Sequence, residues 1–514
     1  MSLDGDSPCL LNDSSYPVLA PPPKRPSKLA RNLFSTKQIN VNDYEPINLE
    51  IHELCKIKDR SHQFHILSLR WLNPIIDCRG TPEGDHFFHE MWGMVIYPFL
   101  EQLHSKNNEH VFMASNDHAL ALRTIVLCKI FVLGNELLKT QLTPIILHCI
   151  DFLLEEKNYD EYSNHGWDQS RSLLVSQKIM LQNTQIAEKR FENELNHAFT
   201  EEGVHVENSP HYHFHMLNNL IYSMSLFQEV NIGQHFLKSM EEISKLAIRF
   251  QQAILRIDNS IPNIGDSYYL PPKFNPLTTE FIERNIESDY SDGFFPFPKS
   301  GYCIWKSTLK DRGVHLTVKN GNLSRYHRHD DDLSITLNVG GQEIFIDGGL
   351  YKYEEKDRDR LFMRSPDSHS TIVLPEKEPS RKVFRSTSNS THIEENRFIA
   401  HAKMWVNENV IRDIRKIGSN KFEFIDSVTD FDNGFKLLFQ TCQDVIIDGS
   451  KQFTLPLDFG SVSVRFSNPD DQVSKIECVP SRYSPTHGEL KDSTAIVIHP
   501  KSSMLRYQIC IEIN

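Results

Sequence analysis

Two histidines two residues apart, His327 and His329, stand just before the acidic run Asp330-Asp331-Asp332 and a stretch of strand character. On an extended segment, side chains two apart point to the same side, so both imidazoles can serve one site. Downstream come Asp347, closing a strand in Ile346-Asp347-Gly348-Gly349, and His369, opening another in Ser368-His369-Ser370-Thr371. Two imidazoles and a carboxylate are borderline-to-hard ligands that suit zinc or a neighbouring first-row metal and leave a fourth position open. The plainer reading of the same residues is a polar turn with solvated side chains.

Three further groups could do chemistry. Ser163-Asn164-His165-Gly166-Trp167-Asp168 leads into a helix, where unpaired N–H groups beside an amide and an imidazole can hold a carboxylate. Simple capping by Asp168 or Asn164 is the competing reading. Glu207-Asn208-Ser209-Pro210-His211-Tyr212-His213 sits at another loop-to-helix junction, with proline at the favoured first helical position. Tyr212 is either a phenol tuned by nearby positive charge for proton transfer or a half-buried core aromatic. Arg325, Arg328, Arg358, Arg360 and Arg364 cluster around the histidine pair in an otherwise acidic chain. Guanidiniums gathered this way suit a polyanionic ligand, and solvation beside Asp357 and Asp359 is the alternative.

The elements that must position these residues change character along the chain. Apolar residues recur at three and four over 62–72, 85–103, 117–138, 144–156, 167–182, 185–199, 210–230 and 234–256, which predicts consecutive antiparallel helices in a ring or array of hairpins. Segment 262–298 is dense in Pro, Asn, Asp and Ser and reads as a linker. Beyond it the period becomes two, and eleven short strands from 314–319 to 504–513 predict a layered antiparallel β-sandwich. The expected organisation is a flexible Pro-rich arm over 1–40, a helical domain over 41–290 and an antiparallel β-domain over 291–514.

Composition narrows the function. The 514 residues carry 55 Lys+Arg against 68 Asp+Glu, a net charge of −13, which argues against general nucleic-acid binding. No uninterrupted apolar run approaches the ~18 residues of a spanning helix, so membrane insertion is not expected. The start, Met1–Leu11, lacks an apolar h-region, which predicts a cytoplasmic protein unless a leader was removed. Nine scattered cysteines without a CxxC pair fit a reducing compartment.

Taken in order, Asn-His-Gly, Glu-Asn-Ser-Pro-x-Tyr-His, His-x-His-x-Asp-x-x-Ser, Asp-Gly-Gly-x-Tyr and Ser-x-His-Ser-Thr resemble the motifs of the heparinase II/III-like polysaccharide lyases, including the oligoalginate lyases. The resemblance spans about residues 60 to 375 by motif. It implies an incomplete α/α-toroid followed by an antiparallel β-sandwich, and lyase activity on an anionic uronate polysaccharide. It also implies that Asn164 neutralises the uronate carboxylate, that His165 assists or acts as a base, that Tyr212 is the general acid or both acid and base, and that His327 stands opposite it. His329, Asp347 and His369 match the family's metal ligands, with Zn²⁺ the expected ion. Tyr353, or Tyr351, would stand near the substrate with Arg325, Arg358, Arg360 and Arg364. The sequence departs from the pattern at His369, which Ser370 follows where Asn is usual.

The chemistry agrees with those roles. Removing a proton α to a carboxylate builds further negative charge, and each donor aimed at that carboxylate can offset ~3–4 kcal/mol. Competing expectations are a noncatalytic glycan-binding protein of the same fold, a cupin-like metal oxygenase or isomerase, and metal-assisted glycoside hydrolysis, which would need a flanking carboxylate pair.

Overall fold

The computed structural model describes residues 27–514 except 42–43, 49, 55, 105–115, 286–291, 376, 381–391, 403, 406–407 and 430–433. The chain forms two compact units, and both are discontinuous. The first takes the residues up to Ala198 together with Leu217–Ser244 and Lys273–Arg284; the second takes Phe199–Met216, Lys245–Pro272 and Asn285–Asn514. Of the expected arm, residues 1–26 lie outside the described residues. The remainder is not a loose lead, because Lys28–Thr36 is a helix capped by Ser27 that buries Ala30 and Leu33.

The first unit is helical, as the spacing predicts. Its central helix, Asp117–Leu133, starts where Asn116 accepts a hydrogen bond from the Ala119 N–H at 2.8 Å, and nearly all its residues are buried. Asn135 caps the next helix, Glu136–Leu154, through the Leu138 N–H at 3.0 Å. That helix, 19 residues with a mean hydropathy of 1.4, has the length and composition of a membrane span, which the sequence reading did not anticipate; it packs against the helices Asp117–Leu133 and Asn164–Ile179. The expected helix 85–103 is instead Pro82–Met91 and Tyr97–Leu103 joined by a wide π turn, Trp92–Ile96. Pro98 has no N–H to give the preceding turn, which accounts for the break in register.

The second unit carries the sheets. Gly293–Phe297, Tyr302–Leu309, Arg312–Lys319, Ser334–Val339 and Gln342–Phe345 pair in chain order as an antiparallel meander. An eight-stranded sheet includes the neighbours Met504–Ile513, Lys421–Val428, Val410–Gly418 and Arg397–His401. Trp305, Leu316 and Leu337 of the meander share one core with Phe398, Ile414, Phe424 and Tyr507 of the larger sheet. A four-stranded sheet of Val473–Tyr483, Lys491–Pro500, Lys436–Thr441 and Ile372–Val373 completes the unit. Three of these strands were missed by sequence, and one of them, Gly293–Phe297, lies in the stretch read as a linker. Tyr302–Leu309 is buried on both faces over most of its length and so does not alternate. Val473–Tyr483 is a polar edge strand in which Pro480 is tolerated.

One buried ion pair ties this scaffold to the histidine segments. Arg412, fully buried, meets both oxygens of Asp426 on the adjacent strand at 2.8 Å each. Its remaining amine donates to the Leu333 carbonyl at 2.5 Å, directly after the acidic run, and to the Ser370 carbonyl at 3.4 Å, directly after His369. Removing one partner of such a pair strands a charge in a medium that cannot solvate it. Asp426→Asn is therefore expected to cost about 3–5 kcal/mol in urea unfolding; a loss within ~0.5 kcal/mol, the range of ordinary surface changes, would show that the pair is not a tie.

Candidate functional site

In the second unit the loop before the helix Pro210–Glu229 builds one wall of the site. Asn208, in the left-handed region at φ 60°, donates from its amide to the Ser324 and Tyr326 carbonyls at 2.9 Å each and accepts from the Leu323 N–H at 2.8 Å. That one side chain moulds the loop carrying His327. Ser209 starts the helix: its carbonyl accepts the His213 N–H at 3.0 Å, its hydroxyl takes the Tyr212 N–H at 3.4 Å, and the same hydroxyl reaches the Asp266 carbonyl at 2.9 Å. Pro210 follows where a missing N–H does no harm.

Tyr212, 3% exposed, lies face to face with His327, ring centroids 3.5 Å apart and planes 18° from parallel. Its hydroxyl is 2.8 Å from that of Tyr353. His327 has φ 53° and sits in a loop rather than on the extended segment expected, so the shared target of the two histidines has another origin. Both reach Asp266. His327 Nδ1 is 2.9 Å from one Asp266 oxygen and His329 Nε2 is 2.9 Å from the other. The second nitrogen of His327 faces Glu207 at 3.3 Å. Arg360 grips Asp266 with both terminal nitrogens, at 2.5 and 2.8 Å.

These contacts set the charges. Burial alone would lower the His327 pKa, yet the hydrogen bonds and charges of Asp266 and Glu207 raise it to about 9. Burial likewise pushes both carboxyls up, and is outweighed by Arg360, His327 and His329 at Asp266 and by His205 and His327 at Glu207, which hold both well below the usual range. His213, beside Tyr212 in sequence, is driven down to about 3, mainly by burial. The positive neighbour of the phenol is thus His327 and not His213. Arg360, 2% exposed, belongs to the frame of this cluster, whereas Arg358 is exposed and Arg325 donates to the Tyr326 hydroxyl at 2.6 Å. Arg364 binds Glu355 at 2.5 Å and the Arg328 carbonyl at 3.1 Å.

His329, Asp347 and His369 form a second, wholly buried group, each offering a ligand atom within 4.8 Å of the others. His329 Nδ1, His369 Nε2 and one oxygen of Asp347 have no hydrogen-bond partner, and neither oxygen of the neighbouring acid Asp331 has one. Their other atoms are occupied: His329 Nε2 by Asp266, and His369 Nδ1 by the second Asp347 oxygen at 2.9 Å. Burial lowers the His329 pKa to about 4, keeping a neutral imidazole of the kind a metal binds. Orphaned buried donors and acceptors are rare, so this set fits a divalent cation.

The first unit carries the other motif. Ser163, rather than Asp168 or Asn164, caps the helix Asn164–Ile179 by accepting the Gly166 N–H at 3.0 Å. Asn164 Oδ1 accepts from the His165 N–H at 3.0 Å, which ties the amide to the first turn of that helix. His165 is half-buried, with Nδ1 3.4 Å from Asp117.

Sequence reasoning missed Asp266 and left Glu207 without a role. Asp266 falls in the stretch read as linker, yet 245–272 belongs to the second unit and Asp266 is 2% exposed. Its signal was Gly265, whose φ of +59° and whose Cβ position, 2.6 Å from the Asn208 carbonyl and 3.1 Å from that of His327, leave room for no side chain.

The family description "Heparinase II/III-like, C-terminal" matches residues 291–512, and "Heparinase II/III N-terminus" matches residues 156–283. No curated protein matches the sequence. Among solved structures, a heparan sulfate lyase HepC from Pedobacter heparinus shares 14% identity at a TM-score of 0.74, covering 100% of this chain and 87% of that one. The heparinase III BT4657 gene product with methylated lysines shares 16% at 0.69, covering 95% and 85%, and a further heparinase III shares 16% at 0.67, covering 90% and 79%. The helical first half followed by antiparallel sheets is the fold these likenesses share with the chain.

If the buried triad holds a cation, adding one after chelation stabilises the fold, by ~2.7 kcal/mol at a hundredfold excess over Kd. Asp347→Ala is expected to abolish both that gain in melting temperature and the bound metal in elemental analysis. Undiminished metal in the variant would move the site elsewhere.

Proposed function

The chain belongs to the heparinase II/III-like family, and from that membership we propose that it is a polysaccharide lyase that cleaves uronate-containing glycans by β-elimination. The observation that carries the reading is the Tyr212 phenol, held on the face of His327 and against the Tyr353 hydroxyl. In such a reaction the proton α to the uronate carboxylate leaves to a base, the C4–O bond breaks as a C4–C5 double bond forms, and the departing oxygen takes a proton. Tyr212 is the group we assign to that proton traffic. A cation stacked on its ring favours phenolate, which is what a tyrosine base requires. His327, with both nitrogens facing carboxylates, supports the phenol rather than competing with it.

Asn164 takes the role of neutralising the uronate carboxylate, with His165 assisting. Tyr353 and the exposed Arg325 and Arg358 are the groups we assign to an anionic sugar chain. Zinc suits the donors of His329, Asp347 and His369, where it would supply a fixed positive charge that cross-links three segments of the β unit. Elimination consumes no water, so none needs activating. Because the similar solved structures are named as heparan sulfate lyases and heparinases, heparan sulfate is the first substrate to try.

Incubation of the purified chain with heparan sulfate, and then hyaluronan and alginate, is expected to raise absorbance at the unsaturated-uronate band. Tyr212→Phe should lower the rate ~10²–10⁴-fold, the usual worth of a general acid or base. Asn164→Ala should lower it ~10²–10³-fold, as for one donor of an oxyanion site. Cleavage that leaves no double bond would replace elimination by hydrolysis, and binding without cleavage across the panel would favour the noncatalytic glycan-binding alternative.

A further inference from the structure

A second set of charged side chains in the helical unit lies behind His165. Asp117 and His118 open the helix Asp117–Leu133, and His165, Asp168 and Arg171 follow one another at three-residue spacing along the helix Asn164–Ile179. These two helices pack together. The imidazoles of His118 and His165 stack with centroids 4.1 Å apart and planes 28° from parallel. Asp168 holds His118 from behind, Oδ2 to Nε2 at 2.8 Å, and its other oxygen takes Arg171 at 2.5 Å. All three are buried. Apolar side chains would pack this layer without desolvating a carboxylate and a guanidinium; what the ions add is a fixed ring plane.

The edge of His165 is set independently. Its Nδ1 lies 3.4 Å from Asp117 Oδ2 and 3.9 Å from Asp160, and Gln169 donates to the same Asp117 oxygen at 2.6 Å, which keeps that acceptor in place. A carboxylate facing Nδ1 selects the tautomer protonated there and makes Nε2 the acceptor nitrogen.

We propose that His118, locked by Asp168 and Arg171, is a positioning residue that fixes the ring plane of His165, while Asp117 sets its tautomer so that Nε2 meets the glycan. The inference rests on the reading of His165 as a residue that meets substrate. Small misplacements of a reacting group can cost ~10²-fold in rate, so the effect belongs in kcat.

The test uses the full chain and heparan sulfate. His118→Phe keeps a flat ring against His165 but loses the nitrogen held by Asp168. It is expected to melt below the parent, because Asp168 loses one of its buried partners and keeps Arg171, and, measured below that melting temperature, to lower kcat at least ~10-fold and to change KM less than ~3-fold. A parental kcat in this variant would reduce His118 to packing and overturn the proposal. A second readout needs no substrate: nitrogen NMR of the histidine-labelled chain should show the His165 proton on Nδ1, a preference lost in Asp117→Asn. A His165 that already exchanges between tautomers in the parent chain would overturn the proposal. If heparan sulfate, hyaluronan and alginate all go uncleaved, the lyase reading fails, and this spectrum still decides the arrangement around His165.

Discussion

The β unit's chemistry hangs on a single carboxylate that has been taken out of water. Asp266 is ionised because two histidines and a bidentate arginine surround it, and those three groups keep their geometry because Asp266 is ionised. Desolvating such a group costs several kcal/mol, which only a complete set of partners offsets. The arrangement therefore has few intermediate states. It also joins two groups through one residue: one oxygen holds His327 against the Tyr212 ring, and the other holds His329, which belongs to the buried triad with Asp347 and His369.

Much of this architecture is legible in the residues and much is not, for reasons that differ by element. The helices 185–199 and 210–230 announce themselves because apolar residues recur at helical period, and helices of nearly those bounds form, whereas the expected 117–138 ends at Leu133 and the next helix starts at Glu136. The triad His329, Asp347 and His369 is visible as spaced ligand types, and the three converge. What escapes is burial on both faces, as in Tyr302–Leu309, and charge that acts across long sequence separations. Asp266 is 61 residues from His327 and 94 from Arg360, and no local pattern marks a partner at that distance. A run of Pro, Asn, Asp and Ser looks like a linker whether it crosses solvent or threads a core.

The two units use one device for their histidines. In each, a carboxylate facing a ring nitrogen decides which way an imidazole presents itself, and a second aromatic ring fixes its plane: Asp266 and Tyr212 around His327, Asp117 and His118 around His165. Stacking constrains tilt and hydrogen bonding constrains rotation, so together they remove the torsional freedom that an exposed histidine keeps.

The interleaving of the chain has a practical corollary for anyone who wishes to cut the molecule. A piece excised at the matched boundary, 291–512, would carry His327, His329 and Arg360 away from both carboxylates that balance them, because Glu207 and Asp266 come from earlier in the chain. Three cationic or cation-prone groups would then crowd one interior without the two carboxylates that bridge them. The sheets are modular in sequence and not in electrostatics, so the smallest autonomous fragment of the β half must begin before residue 207 and retain the two helices that run out and back between its parts.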